Sequence, residues 1–347
     1  MAKLSARFVR PEKSYKTNQG VPLKVVLTNT GKEDISVLVW NTPLDGLVTD
    51  CLHVRVKGKK VPYDGPIIKR AAPTAEDYIT IKAGKSVEGE FMVSDGYNTS
   101  LPGTYNVKLK NPVPDVVPKS AKLRTAMKAG AHVRKPVPIK SATSFKVEKG
   151  PGKRLTLGEQ ARNQESATKK RGPAKAMKKK AAAKGVTTPA TKGGTSAKKK
   201  AAVKAHTDGY KLCLQALGEL ANDAHYVEWF GKHNATRFKK VKSHYSAVKT
   251  LMQTTQFTYN LTGAGCDSGV YAYTYKGTTT IWFCSEFWSA TATGTDSRAG
   301  TVVHEHTHSD ASTDDIRYGQ ADCRSLAKTK PNDAIQNADS HEYYAGG

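Results

Sequence analysis

His304-Glu305-His306-Thr307-His308 is the stretch on which the reading of this chain turns. It sets two imidazoles four positions apart. On a helix, positions i and i+4 lie one above the other, about 6 Å along the axis. His304 and His308 can therefore offer two nitrogens to a single zinc ion. Glu305 falls about 100° round the helix, beside the ion, where a carboxylate can act as general base on a water. His306 faces roughly 160° away from His308 and is not expected to bind the same ion. A catalytic zinc needs a third protein ligand and one open position. Asp310, Asp314, Asp315, His341 and Glu342 all lie downstream of the histidines. No glutamate occurs between 305 and 342, which leaves the aspartates at 314–315 as the nearest oxygen ligands.

Outward from that stretch, residues 206–347 read as mainly helical. Leu212, Leu214, Leu217 and Leu220 suggest a first helix, continued by Ala221, Ala224 and Val227. Trp229–Leu251 suggests a second, with Phe230, Phe238, Val241, Tyr245 and Val248 mostly three and four apart. Residues 257–284 turn β-like, with Tyr271, Tyr273 and Tyr275 alternating. A short helix over roughly 297–308 carries the histidines and is expected to end just after Ser309.

The first 150 residues have a different period. Leu4, Ala6 and Phe8 alternate, as do Leu23, Val25 and Leu27, then Ile35, Val37 and Val39. Val87 and Phe91 precede Tyr105, Val107 and Leu109, and Phe145 with Val147 supplies a last strand. Period two, punctuated by Gly, Asn, Asp and Pro, predicts an antiparallel sandwich with one solvated face, of immunoglobulin-like spacing. Between the two regions, residues 151–205 read as an unfolded linker. Ala174–Lys184 is pure Ala and Lys apart from Met177, with room for a transient helix over 174–184. The stretch has few side chains that could offset the entropy of ordering it.

The charge obeys the same division. The 347 residues carry 55 Lys+Arg against 30 Asp+Glu, a net charge of +25. Residues 206–347 hold 13 basic and 15 acidic side chains, whereas residues 166–204 hold 13 basic and none acidic. The basic middle would attract phosphate, yet it lacks interleaved aromatics and a base-reading fold, which argues against specific nucleic-acid binding. The competing readings are a basic nucleic-acid-binding protein and an adhesion module with a structural zinc; a structural site would require a fourth protein ligand. No run of about 18 apolar residues occurs, which excludes a transmembrane helix.

Cys51 stands alone in the first half, while Cys213, Cys266, Cys284 and Cys323 fall in the last 142 residues. Four cysteines in one module fit two disulfides with three possible pairings, and hence an oxidising compartment. Met1-Ala-Lys-Leu-Ser runs straight into alternating residues without an apolar leader. Either a leader has been removed ahead of the numbered sequence, the reading that secretion favours, or the protein is intracellular.

The C-terminal region resembles the deuterolysin-type zinc endopeptidases, the aspzincins. Their signature is HExxH followed by Gly-Thr-x-Asp-x-x-Tyr-Gly. Here the second segment reads Ser312-Thr313-Asp314-Asp315-Ile316-Arg317-Tyr318-Gly319, with Ser312 in place of the first glycine and a short gap after His308. The resemblance implies Asp315 as the third zinc ligand and Tyr318 as the hydroxyl that stabilises the oxyanion. It covers roughly 206–347. In the lysine-preferring branch, an Asp and a Glu placed like Asp339 and Glu342 line the pocket that receives a lysine after the scissile bond. The resemblance also implies the disulfides Cys266–Cys284 and Cys213–Cys323, leaving Cys51 buried in the sandwich.

The organisation expected is thus a multidomain zymogen. Residues 1–150 form an immunoglobulin-like all-β propeptide, as in bacterial relatives of the family. Residues 151–205 form a cleavable Lys-rich linker, and residues 206–347 a mainly α (α+β) zincin-like catalytic domain. If the enzyme cuts before lysine, residues 169–204 offer at least ten sites in an exposed segment, with Lys198–Lys204 a suitable boundary. The expected protein is a secreted monomer holding one catalytic zinc, acting on protein or peptide substrates, and self-cleaving in its linker.

Overall fold

The structure is a computed structural model that describes residues 2–110, 112–119, 135–171, 185–311 and 313–346. It divides into two compact units, one of Met1–Pro66 with Pro73–Gln160, the other of Ile67–Ala72 with Ala161–Gly347.

In chain order the strands of the N-terminal half are β1 (Leu4–Val9), β2 (Ser14–Lys16), β3 (Pro22–Asn29), β4 (Ile35–Leu38), β5 (Leu52–Val56), β6 (Lys59–Val61) and β7 (Ile67–Arg70). They continue with β8 (Tyr78–Ile81), β9 (Ser86–Met92), β10 (Gly103–Leu109), β11 (Val113–Pro118), β12 (Lys135–Val137) and β13 (Thr143–Glu148). All but β7 belong to the first unit, which is all-β. Its sheets run β1-β3-β9, β2-β13-β10-β5-β6 and β12-β11-β4-β8. Alternation sets the register: Leu23, Val25 and Leu27 of β3 enter one core with Leu52, Val54 and Val56 of β5 and Tyr105, Val107 and Leu109 of β10. Tyr105 stacks on Phe145 across the β10–β13 pair, with ring centroids 5.3 Å apart. Val39 departs from its expected strand; it begins a 3-10 turn, Val39–Asn41.

The second unit is mainly helical around a five-stranded sheet. After β14 (Ala190–Lys192) come β15 (Thr258–Asn260), β16 (Val270–Thr274) and β17 (Thr280–Phe283), and the sheet order is β14-β15-β17-β16-β7. β14, β15 and β17 are parallel; β16 runs antiparallel to β17. The outer strand β7 pairs antiparallel with β16, matching Ile68 to Tyr273 and Lys69 to Ala272. Helices Ser196–Glu219, Ala235–Thr254, Arg298–His306 and Ala338–Gly346 bury Tyr245, Val248, Val302, Val303 and Tyr343 together. Among the described residues, no helix is long and apolar enough to cross a membrane.

Two expectations need correction. Residues 151–205 are not uniformly unfolded: Leu157–Arg171 and Ser196–Glu219 are helical and Ala190–Lys192 is a strand. Composition misled here because Ala and Lys are also among the best helix formers. Thr195 caps the helix by accepting from the Lys198 amide, and Ala202 and Ala205 are buried. Lys198–Lys204 therefore sits in a helix rather than in an open linker. The transient helix expected over 174–184 lies outside the described residues.

The second correction concerns the cysteines. Cys266 and Cys284 form a disulfide, but Cys213 and Cys323 are both buried free thiols. Cys323 Sγ is instead held by Asn337 Nδ2 at 3.3 Å and lies 3.7 Å from the Arg317 carbonyl. Cys51 is free and buried, and burial pushes its thiol up to about 12.

Candidate metal centre

Helix Arg298–His306 begins at Ser297, whose hydroxyl accepts from the Gly300 amide at 3.0 Å, an N-cap that satisfies one of the helix's free donors. The helix passes at Thr307 into a wider π-type turn, Thr307–Ala311, so His308 lies one turn beyond His304. All eight residues Thr301–His308 are buried. His306 faces away from its neighbours, as its position on the helix requires. Its ring packs 4.2 Å from Phe257 and 5.4 Å from His206, and Nδ1 meets the Val302 carbonyl.

His304 Nε2 lies 2.9 Å from Asp315 Oδ1, and His308 Nε2 lies 3.3 Å from the same oxygen. The His308 Nδ1–H donates to the Thr313 carbonyl at 3.0 Å, which leaves the Nε2 lone pair aimed at the meeting point. None of these three ligand atoms has a hydrogen-bond partner. Two imidazole nitrogens and a carboxylate oxygen that converge in a buried place without an aligned hydrogen bond are grouped as a cation's ligands are. Two imidazoles and one carboxylate are a ligand set suited to zinc with an open fourth position. The residues fit the metal.

Of the other candidate ligands, Asp314 is exposed and pairs with Lys276 at 2.6 Å. His341 turns its Nε2 to the Ile335 carbonyl at 2.9 Å and to His244. Ser312, where the motif departs from glycine, and the side chain of Asp310 lie outside the described residues. Asn337 shapes the Asp315 loop, its Oδ1 accepting from the amides of Ile316 and Arg317, both at 2.9 Å.

Glu305 is fully buried, and neither carboxylate oxygen has a hydrogen-bond partner. Burial pushes it up to about 7, in the range where a carboxylate both accepts and returns a proton. Burial by itself would lower His304, but Asp315, Asp339 and Glu342 hold it well above its ordinary value. Against the burial that would raise it, His308 and His304 hold Asp315 below the usual carboxylate range. Tyr318 is buried, and its hydroxyl donates to the Ile68 carbonyl at 2.6 Å.

A second cluster, His304 with Asp339 and Glu342, also has the spacing of a metal site, but an ammonium already fills it. Lys69 Nζ lies 2.6 Å from Glu342 Oε2, 3.3 Å from Asp339 Oδ1 and 3.4 Å from Asp296 Oδ1, and 5.0 Å above the centre of the Tyr271 ring. The lysine is 0% exposed, a burial tolerated only with such pairing. Asp339 Oδ1 also approaches His304 Nδ1 to 2.8 Å, at angles short of an aligned hydrogen bond. The two clusters thus share one imidazole, with one on each of its nitrogens. Sequence reasoning missed Lys69, Asp296 and Tyr271, because nothing in local spacing links position 69 to position 339.

A zinc-ready triad, an unpaired buried glutamate beside it and a tyrosine hydroxyl on a peptide carbonyl define the class: the chain is a zinc-dependent metalloendopeptidase. Residues 216–346 match the aspzincin family model, described as lysine-specific metallo-endopeptidase. The chain is 31% identical to an extracellular protease of Aeromonas hydrophila, over 99% of this chain and 92% of that protein. It belongs to the aspzincin family. A peptidyl-Lys metalloendopeptidase of Pleurotus ostreatus is 42% identical over 125 residues, 35% of this chain and 71% of its own. The solved zinc peptidase from Grifola frondosa is 33% identical, covering 44% of this chain and 96% of its own, with a TM-score of 0.42.

Proposed function

We propose that the chain is a secreted, monomeric zymogen of an endopeptidase that cuts protein or peptide substrates on the N-terminal side of lysine. The observation that carries this reading is the burial of one lysine ammonium among Asp339, Glu342 and Asp296, directly against the metal-binding His304. A pocket that compensates a desolvated ammonium with several carboxylates discriminates strongly against neutral side chains, which would leave those carboxylates unpaired.

The roles in this reading are as follows. His304, His308 and Asp315 would hold one catalytic zinc. The chemistry a zinc held there would supply is polarisation of a carbonyl and a lowered pKa for a water at neutral pH. Glu305 takes the proton of the attacking water and returns it to the leaving nitrogen. Tyr318 donates to the carbonyl oxygen as negative charge develops there, an interaction worth most in the transition state. Asp339 and Glu342 orient the lysine after the scissile bond, and the water-poor surroundings strengthen each of these interactions.

The organisation we propose keeps residues 1–150 as an immunoglobulin-like sandwich propeptide and residues 206–347 as the catalytic domain, with self-cleavage in the Lys-rich stretch between them. The alternating strands of the first unit and the density of lysines over 169–192 support it. The A. hydrophila relative is an extracellular protease, which supports secretion. The test compares matched peptides carrying lysine or norleucine at one position, with chelator and after zinc is restored. Zinc-dependent cleavage before lysine, at least about a hundred times faster than before norleucine, is expected. Equal rates would overturn the lysine reading.

A further inference from the structure

Strand β7 is the one strand of its sheet that comes from the N-terminal half of the chain, and it occupies the outer edge. Adding an extended segment to an open sheet edge is how many proteins bind peptides, with main-chain bonds giving affinity and side-chain pockets giving specificity. Here the added segment is the chain's own Ile67–Ala72. Three contacts of this segment are those the lysine-directed reading expects of a substrate. Its backbone pairs with β16 over Ile67–Arg70. Its Lys69 ammonium fills the acidic pocket. The carbonyl of the residue just before that lysine, Ile68, accepts from the Tyr318 hydroxyl.

The polarity of the strand fixes which bond is presented. A segment lying in the opposite sense, with a lysine in the same pocket, would bring a different carbonyl to Tyr318. In the observed sense it is the carbonyl just before the lysine, that of Ile68, that meets the Tyr318 hydroxyl. We propose that Ile68–Lys69 is a self-processing site of this protein, an assignment that rests on the lysine-directed reading above. In the reaction, the oxygen of one water bonds to the Ile68 carbonyl carbon as the bond from that carbon to the Lys69 nitrogen breaks. One proton of the water passes by way of Glu305 to the Lys69 nitrogen and the second follows from the new carboxyl group, leaving a carboxylate on Ile68 and an ammonium amino terminus on Lys69. Until it is cut or leaves, this strand denies an external peptide both the β16 edge and the acidic pocket.

The test strips the full-length chain of metal with chelator, restores zinc, and tracks the new amino termini by N-terminal sequencing. A fragment beginning Lys69-Arg70-Ala71-Ala72 is expected in the wild type and not in Glu305→Ala or Lys69→Gln, with thermal melts verifying that both variants are folded. Because the wild-type arm is decisive alone, a folding failure of Lys69→Gln changes nothing. Absence of any fragment starting at Lys69 overturns the proposal, whether or not linker fragments form. Failure of the underlying lysine reading has a separate signature: external lysyl and norleucyl peptides are cut equally fast, whatever happens at Ile68.

Discussion

The Asp339 carboxylate stands 2.8 Å from the outer nitrogen of His304 and 3.3 Å from the ammonium of Lys69. One side chain thus stands against both an imidazole of the candidate metal triad and the buried lysine ammonium. Against the burial that would raise it, Lys69 and His304 hold Asp339 below its ordinary value, so it meets both partners as a carboxylate.

Replacing Asp339 by Asn should therefore disturb two properties at once. Carboxylates behind a metal-binding histidine typically contribute 10–100-fold to metal affinity, and a loss of about that size is expected in competition titration against a chelator. The lysine-to-norleucine ratio of kcat/KM should fall in the same variant. Unchanged zinc affinity would confine Asp339 to the pocket.

Glu305 separates chemistry from metal binding. It lies on the helix that carries His304 but contributes no atom to the candidate triad of His304, His308 and Asp315. Glu305→Gln keeps the volume and removes the base. It should lower kcat by roughly 10²–10⁴-fold while the zinc content measured by atomic absorption stays at the wild-type value. A variant that lost zinc as well would give Glu305 a structural share in the site.

Gly300 allows the acidic pocket to close on the helix. A Cβ built there would come 2.6 Å from Glu342 Oε1 and 3.0 Å from its Cγ. Gly300→Ala must push Glu342 aside, while His304 and His308 are held from the next turns. The expected result is a KM for lysyl peptides raised about tenfold, an effect of ~1.4 kcal/mol, with zinc affinity retained. An unchanged KM would mean that Glu342 swings away without loss of the ammonium contact.

Much of the candidate metal centre was legible because it is local. The spacing of His304 and His308 is helical periodicity, and Asp315 stood among five oxygen or nitrogen donors close behind. The same locality explains what was hidden. Lys69 reaches Asp339 across 270 positions, through an edge pairing between β7 and β16 that no period in either segment encodes. Leu52, Val54 and Val56 of β5 alternate as clearly as Leu23, Val25 and Leu27, and the strand was there to be read. The Ala/Lys-rich stretch was misread because composition speaks to chain entropy, whereas the Thr195 cap and the buried Ala202 and Ala205 decide that Ser196–Glu219 folds.

The cysteines give the last prediction, on stability. The Cys266–Cys284 bridge closes a segment of sequence separation 18 around β16, the strand against which β7 lies. Closing a loop of that length contributes ~3 kcal/mol in the chain-entropy model. Cys266→Ser with Cys284→Ser should lower the unfolding free energy by about that much in urea titration. Cys51, Cys213 and Cys323 are buried and free, and burial raises all three thiols, Cys51 and Cys213 to about 12. They should resist alkylation in the native protein at neutral pH, since the thiolate is the reactive form. In denaturant without reductant all three should react. A count of one, leaving only Cys51, would restore the Cys213–Cys323 bridge in place of the Asn337 contact that the structure gives Cys323.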